Sequence, residues 1–349
     1  MAITHESQNT FWRSRLKESA FGTRRASNAD YRRILTTDKA PFQHGAGAEN
    51  DGDHAHGSDR PQNVWLTGRT AGKSFPQQFN FTDIGYSLYA ALGSISTSGA
   101  GADKTHVITP QSMDTSRQLP SYTMGQKLGG QWIDIFTSMV CNQLTIQGTR
   151  TGRLNVTEEY QGNGFYEKDP ASYAQPSLTS GLEFAYAQQC AINLTDGGTL
   201  DEDLECLLEE WSWVLNNNLD QDGYRICSDE FTAGTPESGY LRNELLVGVR
   251  DYKFNGTYRL NSSSDPMRGA FDAGTIITIT HGITSTQNIP TTSTPWSLTL
   301  NHTRARITEA NITVVNGYDA VQFVAELLSS AGSIPLTATL INNVPSYTT

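Results

Sequence analysis

The sequence predicts a mainly β fold on three grounds. It has 31 glycines among many Ser, Thr and Asn, it is 37% apolar against 17% charged, and several short runs alternate apolar with polar side chains. Turn-forming residues this frequent suit short strands better than helical bundles. At 349 residues the chain can bury a substantial core, as one large unit or two moderate ones. The reading here is two tandem barrel-like or sandwich-like units, a flanking amphipathic helix over residues 200–217, and a long N-terminal arm.

The arm is residues 1–75. It opens with a short helix around Phe11 to Glu18, continues through the basic stretch RRASNADYRR, and reaches HGAGAENDGDHAHGSDRP. That last run of Gly, Ala, Asp and His cannot build a core and reads as a long surface loop.

The first β-rich unit is residues 76–198. DIGYSLYAALGS predicts a short helix ended by Gly93. THVITP and PSYTMGQKL read as strands, each with a proline at a boundary where a lost ladder hydrogen bond is tolerable. NQLTIQGT and RLNVTEEY alternate around the turn GTRTG, a hairpin with Leu144, Ile146, Leu154 and Val156 on one buried face.

The second unit is residues 199–349. Thr199 and Glu202 match a capping box, and Leu200, Leu204, Leu207, Leu208, Trp211 and Leu215 fall on one helical stripe, with Trp213 off it. Strands follow at ELLVGVRDYKF, TIITITHG, WSLTLNHTRARI, NITVV, AVQFVAEL and PLTATLIN. Asn255-Gly256 suggests a tight hairpin, although such a turn sets Tyr252 and Phe254 on the face opposite Tyr258 and Leu260.

Function is bounded mainly by what is missing from the pattern. A net charge of −11 argues against clamping nucleic acid through its phosphates. No secretory signal and no membrane span are expected. Cys141, Cys190, Cys206 and Cys227 form no CxxC pair and read as reduced thiols. The densest set of ligand-type residues is Asp51, Asp53, His54, His56 and Asp59, with His44 nearby. Histidines and carboxylates can hold a divalent metal, but a catalytic site needs ligands fixed from several elements, so a solvated loop is the expectation. GRTAGKS, residues 68–74, fails the phosphate-loop spacing and reads as a loop. No nucleophile motif is present, and the chain is expected to be neither an enzyme nor a cofactor binder.

In order, FTDIGYSLYAALGS, THVITP, QLPSYTM and NQLTIQGTRTGRLNVTEEYQGNG resemble the tail tube proteins (major tail proteins) of long-tailed bacteriophages. VVNGYDAVQFVAELL and PLTATLIN are similar to the C-terminal part of larger members. The resemblance covers about residues 79 to 345 and is one of order and texture.

It implies a structural virion protein that polymerises into stacked rings around a channel for double-stranded DNA. A trimeric ring with pseudo-sixfold symmetry is favoured over a hexamer. The implied partners are further copies of the chain and the tail terminator, tail tip and tape measure proteins, with assembly in the host cytoplasm and no membrane. Glu158 and Glu159 are candidate lumen acids, which repel passing phosphates. Phe11, Trp12, Trp132 and Ile133 are candidate inter-subunit or inter-ring contacts, and GQKLGGQWIDIFTS is a candidate loop or hairpin toward the neighbouring ring. A competing reading is a tail-tip, connector or adhesin-like sandwich using Trp65, Trp132 and Trp296. A third is a metal-dependent hydrolase built on His44, His54 and His56.

Overall fold

The computed structural model describes residues 8–26, 30–50, 64–168, 173–197, 201–203, 208–224, 241–260, 266–330 and 334–348. In chain order the first elements are β1 (Thr10–Ser14), β2 (Tyr31–Ile34), β3 (Gln43–Asn50), β4 (Val64–Gln78), α1 (Ile84–Leu92), β5 (Gly93–Ser98) and β6 (Lys104–Pro110). Then come β7 (Ser121–Leu128), β8 (Trp132–Thr149), β9 (Asn155–Gly162), β10 (Tyr166–Lys168), β11 (Cys190–Thr195), β12 (Asp201–Asp203) and β13 (Leu208–Asn216). The last are β14 (Asp251–Arg259), α2 (Pro266–Ala273), β15 (Ile276–Asn288), β16 (Pro295–Val315), β17 (Tyr318–Leu327) and β18 (Leu336–Asn342). The mainly β expectation holds, and every ladder is antiparallel.

The described parts of the segment expected to be an arm lie inside this network. β1 pairs with both β2 and β7, and all five of its residues are buried. Phe11 and Trp12 are strand residues, because alternate side chains here have cover on both faces: Phe11 meets Phe42 and Phe75, while Trp12 packs with Ile135 and Tyr173. Residues 44–50, the described part of the glycine-rich run, and GRTAGKS are strands too, since β3 pairs with β4 along a stretch expected to be loop. From β4 the path runs β9, β8, β7, β1, β2 and returns to β4 through the Thr36–Gln77 bridge.

The expected hairpin is β8–β9, with Leu144, Ile146, Leu154 and Val156 all buried. α1 is the expected short helix, closed by Gly93 at φ 91°, a left-handed conformation that glycine adopts without a side-chain clash. Every residue of α1 is buried, so it fills the interior and leaves no side for water.

The helix expected over residues 200–217 is overturned: β12 and β13 occupy its described part. β13 hydrogen-bonds β8 on one edge and β14 on the other, which satisfies its backbone without helical bonds. A register shift between Leu208 and Glu210 puts Leu208 on the buried side with Trp211, Trp213 and Leu215, imitating a helical stripe. Trp213, expected off the stripe, is fully buried. Thr199 lies outside the described residues.

Asn255-Gly256 is not a turn. β14 runs straight through it, so Tyr252, Phe254, Gly256 and Tyr258 share the buried face, and the parity conflict disappears. The β8–β13 and β6–β18 ladders also cross the division expected at residue 198/199.

Candidate functional site

Three surface features and one interior network could bear function. Most prominent is the far end of the β16–β17 hairpin. Asn316 and Gly317 form its tip with φ of 52° and 81°, the two consecutive positive values of a tight two-residue turn. Registers Ala310–Phe323 and Ile312–Val321 place these four residues on one face, and Phe323 and Val321 belong to the core. Beyond Ala310 that face is uncovered along β16: Ile312 is 58% exposed and Val314 66%, although Val321 opposite Ile312 stays buried under the β14–β17 side. On the other face Tyr318 stands exposed, with the Arg259 guanidinium 4.5 Å from its ring centre.

The second feature is the tip of the β7–β8 hairpin, turned by Gly129 and Gly130. This is the expected GQKLGGQWIDIFTS hairpin, and Trp132 beside the turn is half exposed. Ile133 is partly buried against the cluster of Trp12, Ile135 and Tyr173. The third feature is β5, an edge strand. Among the described residues only β6 pairs with it, and its sequence GSISTS has no charge and no proline.

Inside the strand circuit sits a charged network. Arg13 Nη1 donates to Glu158 Oε2 at 2.9 Å, and the Tyr160 hydroxyl donates to the same oxygen at 2.6 Å. Ser87 Oγ and the Gln77 side-chain amide donate to Glu158 Oε1. Burial works against the Arg13 guanidinium, but Tyr160 and Glu158 outweigh it and its pKa is raised. Glu158 is therefore not a lumen acid: alternation turns it inward, where it receives four donors. Glu159, the next residue on β9, faces outward and is half-buried.

The metal candidates do not come together as a described site. Asp51, Asp53, His54, His56 and Asp59 lie outside the described residues. His44 is on β3, its ring 4.4 Å from the Tyr166 ring. Among the described residues no group of three His, Cys, Asp or Glu could hold a metal ion. Cys141 and Cys190 are free thiols, and burial pushes both upward, Cys190 to about 12, which suppresses the reactive thiolate.

The aromatic set of the adhesin reading is dispersed. Trp296 is buried, Trp132 is exposed, and the Trp65 side chain lies outside the described residues. Two histidines, His281 and His106, are packed in the core. The Trp213 indole donates to His281 Nδ1 at 2.9 Å, and His106 is within hydrogen-bonding distance of Asn342 and Thr97.

No family model matches the sequence, and no curated protein is similar to it.

Proposed function

We propose that the chain is a structural virion subunit whose copies associate into stacked rings, forming the tail tube of a long-tailed bacteriophage and the channel through which its DNA leaves. The observation that carries this reading is the outer end of the β16–β17 hairpin, where Ile312 and Val314 continue the core-facing side of β16 uncovered. Fully burying one such side chain contributes about 1.5–3 kcal/mol, and contiguous exposed apolar surface of this kind marks a contact site. A second copy of the chain is the partner that repeats the contact indefinitely.

Two further features support it. The strand circuit closed by Thr36–Gln77 suits a ring-building barrel. The β5 edge lacks the charges, prolines and bulges that normally block strand addition, so a neighbour can extend the sheet there. Two barrel-like units per chain, and with them a trimeric ring in preference to a hexamer, belong to the same reading. So do the terminator, tip and tape measure partners.

Negative-stain electron microscopy over a concentration series tests the reading on wild-type protein and an Ile312→Asp/Val314→Asp variant. Wild type is expected to form channelled rings or tubes, and the variant to stay as single subunits with unchanged circular dichroism and Tm. A wild type that remains monomeric up to millimolar concentration overturns the reading, as does a variant that assembles equally well.

A further inference from the structure

The outward face of the sheet made by β4, β9, β8, β13 and β14 carries an unusual row of side chains. Successive registers pair Gln78 with Asn155, Asn155 with Gln147, Gln147 with Ser212, and Ser212 with Asn255. Five neighbouring strands thus present four carboxamides and a hydroxyl in one line. The next row reads Thr149, Glu210, Thr257 and Gln322, with one charge, and Glu210 is already accepting from the Thr257 hydroxyl at 3.1 Å.

Folding alone does not ask for this. Outward positions of a solvated sheet are ordinarily given to Lys, Glu and Thr, and Asn is depleted in strands. Further along the same sheet the ordinary pattern returns, where Lys253, Glu326 and Arg306 stand side by side. Between the two rows the surface is hollowed into a groove of about 410 Å³, within the range of small-ligand sites.

We infer that this groove binds a neutral oligosaccharide. The Asn255 amide already donates to the Ser212 hydroxyl at 3.1 Å, and the Gln78 oxygen accepts from Arg153. A carboxamide has two donor hydrogens and an acceptor and a hydroxyl has both roles, so the row keeps donors and acceptors that match a ligand whose own groups are hydroxyls. Strands about 4.8 Å apart repeat these contacts at a spacing close to the length of one pyranose unit. Charge complementarity selects against the alternatives. The groove itself is lined by no Lys or Arg for the phosphates of a nucleic acid, the one cation on the rows being Arg153, which donates to Gln78 at the end of the first row. One engaged carboxylate is little for a cationic peptide. The inference does not rest on the tube reading, since the groove and the outer end of the β16–β17 hairpin use different residues.

Saturation-transfer NMR on the full chain with glucotriose, mannotriose and galactotriose, each at millimolar concentration, tests the inference. Dextran sulfate and duplex DNA are run in parallel. At least one neutral trisaccharide is expected to give signals that persist in half-molar salt. Gln147→Ala should weaken its Kd about ten-fold, the equivalent of about 1.4 kcal/mol. Gln322→Ala serves as a second variant, and an unchanged Tm shows that each is folded. Silence from all three neutral sugars overturns the inference. So does equal binding by both variants, or a preference for dextran sulfate or DNA.

Discussion

The interior of the strand circuit and the interior around β13 and β15 are built on different physics. The first is organised by charge: Glu158 gathers Arg13 from β1, Gln77 from β4, Ser87 from α1 and its own neighbour Tyr160. Arg32 adds an ion pair with Asp83 at the entrance to α1, and the Arg13 guanidinium lies 5.5–6.0 Å from the ring centres of Tyr86, Tyr122 and Tyr160. The second is organised by aromatic packing: Trp213 meets Phe254 at a tilt, Phe254 meets Phe323, and His281 is drawn in as a neutral ring by the Trp213 indole. An apolar core tolerates any partner of suitable volume, whereas a carboxylate with four donors accepts one arrangement of its elements. The charged interior therefore fixes which distant segments meet, and the aromatic interior supplies bulk cohesion.

Breaking the charged network should have the largest effect. Arg13→Ala leaves Glu158 buried without its cation, and loss of one member of a buried pair costs about 3–5 kcal/mol. Urea denaturation is expected to show that loss. Arg13→Met/Glu158→Met, which removes both charges, should recover a good part of it. A single variant as stable as wild type would show that the pair does not organise this interior.

A pH titration separates two kinds of buried group by sign. Burial holds His281 near pKa 3 and His302 near 4, below the ordinary 6.5. Below about pH 6.5 the unfolded chain takes up protons that these folded rings refuse, so their contribution to stability falls as pH drops toward 4. Glu18 behaves oppositely. Burial raises its pKa, and the donors around it, the Ser121, Thr123 and Ser138 hydroxyls and the Ser138 amide, only partly offset this. Its contribution is fully present below the unfolded value of about 4.5 and is lost as pH rises through the folded value. Changes in Tm between pH 7 and pH 4 should therefore shrink in a His281→Phe/His302→Phe protein that folds. In Glu18→Gln the acid-side loss should instead deepen. An unaltered profile in both proteins would remove these groups as the source.

The aromatic interior was the more legible of the two in the sequence. The alternation in TIITITHG, WSLTLNHTRARI and AVQFVAEL is visible along one strand at a time and gave the right elements. In LEEWSWVLN the spacing of Leu208, Trp211 and Leu215 suits both a helix and a bulged strand, and only Trp213 distinguishes them. The charged interior was closed to such reading. Arg13 and Glu158 are 145 positions apart, and β1 reads as a short helix in an arm until β7 is laid beside it. For the β16–β17 hairpin, the alternation of Ile312 and Val314 with polar residues announces an apolar face. Whether anything covers that face depends on where the body ends, which period and propensity do not encode.

The sequence Asn-Gly occurs three times, and its occurrences at residues 255–256 and 316–317 give the finest test of how context decides. At 316–317 both residues take positive φ and the chain reverses, as the dipeptide suggests; at 255–256 the chain continues between β13 and β17. A Cβ on Gly256 falls within 2.6 Å of the Phe323 ring, so this glycine is present for space in the aromatic interior. A Cβ on Gly317 meets nothing within 4 Å, so that glycine is present for its backbone conformation. Gly256→Ala is therefore expected to cost about 1–3 kcal/mol through overpacking. Gly317→Ala should cost about 1–2 kcal/mol through left-handed strain alone. Combining each with Phe323→Leu in denaturation experiments separates the causes: the smaller ring should relieve the Gly256 variant and leave the Gly317 variant unchanged. Equal relief in both would mean that the two glycines are constrained alike, and that the interior around Phe323 is less closely packed than the geometry requires.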